Sequence, residues 1–93
     1  MYYGKINKIT GSPHGRGIWI ADDSSKLYEG QWQYGLHHGR GRKIWKIGSF
    51  FEGEWIENRR NGIGTKIWPS GSSYYGNWVN DNRTGHGKPL FEL

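Results

Sequence analysis

The chain has 93 residues, no cysteine and a formal net charge of +5. That length is one domain, and the missing thiols exclude disulfides and Cys-based metal sites. Leu, Ile, Val and Phe number only 17 against six Trp and six Tyr, so the core must be built on aromatic rings rather than aliphatic layers.

The opening "MYYGKINKIT" has no long apolar run. No signal peptide or membrane-spanning helix is therefore expected, and the expected location is cytoplasmic or cytoskeletal. A first unit over about 2–27 holds "YYG" at 2–4 and "HGRG" at 14–17. A second over 28–50 reads as a strand at about 28–32, a polar loop, a second strand at about 41–46 and a turn at Gly48–Ser49. The third (51–73) and fourth (74–93) copy it at a period of 23. Tyr28, Phe51 and Tyr74 recur in this register, as do Gly30, Gly53 and Gly76, Trp32, Trp55 and Trp78, and the pairs Gly39–Gly41, Gly62–Gly64 and Gly85–Gly87. Three units in fixed register are a repeat architecture, and the irregular first and shortened last units read as its ends.

The pattern Y-x-G-x-W, then a polar loop, then H-G-x-G and an aromatic strand, resembles the MORN (membrane occupation and recognition nexus) repeat. The resemblance covers essentially the whole chain as 3.5–4 repeats. It departs where Asn58 and Asp81 stand at the position of Gly35, and where Asn61 and Thr84 stand at that of His38.

Two short strands and two tight turns per unit predict an all-β fold. It is an elongated single-layer antiparallel sheet of consecutive β-hairpins spanning residues 1–93. Alternation puts Tyr28, Gly30 and Trp32 on one face, with Gly41, Lys43 and Trp45. There each Trp ring is expected to lie across a bare glycine backbone. The other face carries Ile20, Ile44, Ile67 and Leu90 at the third position after each GxG, and Ile56 and Val79 just after the first-strand Trp. Nothing in a one-layer sheet covers them, and Ile44, Ile56, Ile67, Val79 and Leu90 are the candidate partner-binding residues. Arg40, Arg42, Glu52 and Glu54 are placed to pair across strands on that face.

No pattern for a dinucleotide, a P-loop or a nucleophile elbow is present, and the GxG pairs recur once per unit as scaffold rather than as a phosphate cradle. His14 and His38 read as loop side chains that hold hairpin turns. No catalytic residue, cofactor or metal is assigned. The Trp positions belong to the repeat, so a nucleic-acid surface is not expected. The resemblance implies a non-catalytic scaffold in a larger protein assembly, of ciliary, axonemal or cytoskeletal kind. Its alternative implication is a peripheral membrane module for acidic phospholipids or phosphoinositides, with Lys43, Arg59 and Arg60 as the lipid candidates. An open sheet edge adds self-association to the expected partners.

Overall fold

The computed structural model describes residues 1–84 in full and residues 88–91 by their backbone. Its strands are β1 (Tyr2–Ile6), β2 (Pro13–Ile20), β3 (Lys26–Gln33), β4 (Leu36–Trp45), β5 (Ser49–Ile56), β6 (Arg59–Ile67), β7 (Ser73–Val79), β8 (Asn82–Arg83) and β9 (Lys88–Phe91). Strands β1 to β8 follow one another in a single open antiparallel sheet, and β9 also pairs with β7. Among the described residues there is no helix. The strands of the later units are longer than predicted because the polar loops between β3 and β4, β5 and β6, and β7 and β8 shrink to two-residue turns.

Those turns explain the departures at Asn58 and Asp81. Each turn has two residues with positive φ: Tyr34–Gly35 (50° and 79°), Glu57–Asn58 (48° and 72°) and Asn80–Asp81 (48° and 73°). Hairpins select this conformation because it matches strand twist, and Asn and Asp tolerate it where most residues do not. Their side chains add a function glycine lacks. Asn58 Oδ1 accepts the His37 backbone N–H at 2.8 Å, and Asp81 Oδ1 accepts that of Arg60 at 2.8 Å. The N–H groups of Asn58 and Asp81 donate back to the carbonyls of His37 and Arg60, both at 3.0 Å. Each turn is thus tied to the preceding hairpin.

The two glycines of each described GxG have different causes. Between the pairs Gly30↔Gly41 and Trp32↔His37, strand β3 supplies Gln31 alone while β4 supplies His38, Gly39 and Arg40. The resulting bulge puts Gly39 at φ 77°, and the equivalent bulge puts Gly62 at φ 100°. Gln31 Oε1 accepts the freed Arg40 N–H at 3.0 Å, and Glu54 Oε1 accepts that of Ile63 at 2.8 Å. The second glycine is a floor: a Cβ on Gly41 would collide with the Tyr28 ring, and one on Gly64 with the Phe51 ring.

The ring over each second-strand floor is therefore Tyr or Phe, not the expected Trp. Trp32, Trp55 and Trp78 pair opposite the bulge glycines Gly15, Gly39 and Gly62. They stand on edge and donate their indole N–H to the carbonyls of Gly17, Gly41 and Gly64 at 3.0, 3.1 and 3.2 Å. A buried indole needs such an acceptor, which a flat position over glycine would not provide. The core is a line of rings in alternating orientation, Tyr2, Trp32, Tyr28, Trp55, Phe51, Trp78 and Tyr74. Successive centroids are 5.0 to 5.5 Å apart and successive planes 80–90° apart. Tyr28 and Phe51 are fully buried. Edge-to-face contacts of this kind contribute roughly 0.5–1.5 kcal/mol each beyond the area they bury.

Candidate functional site

The sheet has two unlike faces. On the aromatic face a column of equivalent residues, His37, Arg60 and Arg83, caps the flat rings. The His37 imidazole stacks on Tyr28 at 3.7 Å and 3°. The Arg60 guanidinium lies 5.5 Å from Phe51 and 4.7 Å from Trp78, and Arg83 lies 5.4 Å from Tyr74 and 5.0 Å from Trp68. Arg60 Nε is held by Asp81 Oδ1 at 3.1 Å.

His37 is buried, and its Nδ1 has no hydrogen-bond partner among the described residues. Burial, with a smaller repulsion from Lys43, pushes its pKa down to about 3, so the ring is neutral at physiological pH. It borders an open depression of about 420 Å³, with Tyr2, Trp19, Trp32 and Lys43 around it.

Lys43 and Lys66 converge on Trp45, their Nζ atoms 5.4 and 4.0 Å from its ring. Among the described residues neither forms a salt bridge. Burial lowers both pKa values, and neighbouring cations add to the effect, bringing Lys66 to about 8. Lys26 stands 6.0 Å from Trp19 in the same manner. This face is therefore a row of cations laid on indoles.

The second face carries an apolar ladder. Ile20 pairs with Leu27, Leu27 with Ile44, Ile44 with Phe50 and Phe50 with Ile67, so five side chains run unbroken across β2 to β6. Ile44 is 40% exposed and Ile67 37%. Beside the ladder Glu29, Arg42 and Glu52 are consecutive cross-strand partners, and Arg42 Nη2 reaches Glu52 Oε2 at 3.2 Å. Arg40 stands opposite Glu54, whose Oε1 is engaged by the Ile63 N–H instead.

The predicted residues divide accordingly. Ile44 and Ile67 join the ladder, together with Leu27 and Phe50, which sequence reading missed because it followed one position per repeat. Ile56 and Val79 are exposed on the same face but at the other end of their strands, opposite Arg59 and Asn82. Leu90 lies outside the residues whose side chains are described. The three lipid candidates are not brought together. Lys43 and Arg60 are on the aromatic face, and Arg59, opposite Ile56, is on the other. Arg60 is also committed to Asp81 and the rings. Lys66 and His37 were missed; the 23-residue offset from Lys43 and from Arg60 was the available signal. His14 Nδ1 accepts the Tyr34 turn N–H at 3.4 Å, in line with its expected role.

Among the described residues no group of three or more His, Cys, Asp or Glu converges as a metal site. No described helix is long and apolar enough to cross a membrane. A family model described as MORN repeat matches residues 28–50, 51–73 and 74–88. No curated protein matches the chain.

Proposed function

The chain belongs to the MORN repeat family, whose repeats are generally non-catalytic protein- or membrane-interaction modules, and from this premise we propose that it is a scaffold joining proteins within a larger assembly of cytoskeletal or axonemal kind. The observation that carries the reading is the ladder from Ile20 to Ile67. An unbroken row of partly exposed aliphatic and aromatic side chains, on a face its own chain does not cover among the described residues, is the surface a partner desolvates. Cross-linking mass spectrometry of native material tests it. Ile44→Asp with Ile67→Asp should abolish the cross-linked neighbours while circular dichroism is unchanged. Neighbours that survive the double variant would sink the reading.

A second reading, contact with acidic phospholipid, has its own observation: on the opposite face Lys43 and Lys66 are cations without a salt-bridge partner among the described residues. Flotation with phosphoinositide vesicles separates the two. Lys43→Glu with Lys66→Glu should abolish lipid binding, and the two Ile→Asp changes should leave it intact.

A further inference from the structure

We propose that a second copy of this chain covers the ladder face, as the two sheets of a face-to-face sandwich. The proposal rests on reading that face as a docking surface, and it names the occupant from the pattern of charge and register.

Charge is segregated between the faces. Lys26, Lys43, Lys66, Arg60 and Arg83 all contact rings of the aromatic face. On strands β2 to β6 of the ladder face, Arg16, Arg40, Arg42 and Arg59 stand against Glu29, Glu52 and Glu54, which leaves this face nearly neutral. Most of the net positive charge of the chain therefore lies on the face turned away from the contact, while Arg42, 5.5 Å from the Phe50 ring, stays at the contact beside Glu52.

The order of the residues is self-complementary. Take a two-fold axis along the strand direction, between β4 and β5 and midway between the sheets. It carries β4 of one copy over β5 of the other, and β3 over β6. Positions along the strands are unchanged, so rows meet equivalent rows. Arg42 then faces Glu52 of the second copy, and Arg40 faces Glu54. Ile44 faces Phe50, and Leu27 faces Ile67. Every one of these pairs already shares a cross-strand row in the register of one sheet. An isologous contact requires this match of a surface with itself.

Stacked sheets sit about 10 Å apart and cross at about −30°, so the match is closest near the axis, where Arg42, Glu52, Ile44 and Phe50 lie. The extents of 46 × 27 Å bound the face at about 1,200 Å², so a contact over about two thirds of it reaches the about 800 Å² per partner of a standard stable interface. Apolar rows supply the attraction, and the Arg–Glu rows fix orientation and register.

The test is sedimentation equilibrium of the whole chain at about 100 μM. Wild type should be a dimer. Arg42→Glu sets a new carboxylate against Glu52 of the second copy, and Glu52→Arg sets a new guanidinium against Arg42. Each variant alone should dissociate at least about 100-fold more readily, with unchanged circular dichroism because the pair is exposed. Mixed in equal amounts, the two variants should form a heterodimer, because each opposite-charge contact is restored across the axis. Ile44→Lys, which leaves the charge pair intact, should also give a monomer. A monomeric wild type, a dimer indifferent to Arg42→Glu and Ile44→Lys, or variants that fail to complement on mixing would each overturn the proposal. A monomer whose native cross-links to other proteins are lost on Ile44→Asp and Ile67→Asp would leave the scaffold reading standing and remove only the second copy.

Discussion

The indole N–H of Trp55 donates to the carbonyl oxygen of Gly41, 3.1 Å away on the preceding hairpin. Trp32 and Trp78 repeat the bond to Gly17 and Gly64. It joins one repeat to the next inside the aromatic core, so its loss is felt at the interface between repeats. Trp55→Phe keeps most of the apolar volume but removes the donor and leaves the buried acceptor without that bond. It should cost about 1–3 kcal/mol, and Trp55→Ala about 3–5 kcal/mol. Urea denaturation of both variants checks the order.

Gly64 and Gly11 separate space from conformation. A Cβ on Gly64 would collide with the Phe51 ring, whereas one on Gly11 meets nothing, although Gly11 has φ 75°. Gly64→Ala should cost about 3 kcal/mol, the upper end of the usual range for overpacking a filled core, and lower Tm by more than about 10 °C, given about 4–8 °C per kcal/mol at this size. Gly11→Ala should cost only about 1–2 kcal/mol from left-handed strain. Equal losses from the two would contradict the ring-floor assignment.

Acid should destabilise the fold before carboxylates begin to titrate. The unfolded chain binds a proton at His37 near pH 6.5, and the folded chain only near pH 3. The unfolded state therefore holds more protons between those values, and stability falls as pH falls through that window, by up to about 1.4 kcal/mol per unit. Between pH 7 and pH 5 the expected loss from this residue is about 2 kcal/mol. His37→Phe keeps a stacked ring without the titration and should flatten the profile. The urea midpoint measured at several pH values decides it.

The capping column can be exchanged between repeats. Arg60 is stabilised by Asp81, and the equivalent pair one repeat earlier is His37 and Asn58. His37→Arg alone puts a guanidinium beside Lys43 with no carboxylate and should destabilise. Adding Asn58→Asp supplies the carboxylate and keeps the turn geometry and the bond to the backbone N–H at position 37. The double-mutant cycle should show a favourable coupling of about 1–2 kcal/mol, read from denaturation midpoints. A coupling near zero would mean that the column is not interchangeable.

The 23-residue period, the two strands per unit and the turns that lead from one unit to the next were legible in the chain alone. They depend on local chemistry: Gly, Asn and Asp accept the turn conformation, and alternation assigns faces within one strand. From these follow a single-layer sheet, an aromatic face and the exposure of Ile44, Ile56, Ile67 and Val79. Pairing between strands was decided only in the folded molecule, because the bulge at Gly39 and Gly62 changes the count across the hairpin. That count puts Tyr28 and Phe51, rather than the tryptophans, over the floor glycines. It sends Arg59 and Arg60 to opposite faces, buries His37 between Trp32 and Trp55, and inserts Leu27 and Phe50 into one row with Ile44 and Ile67. Adjacency across strands is a long-range property, and a shift of one residue reverses it.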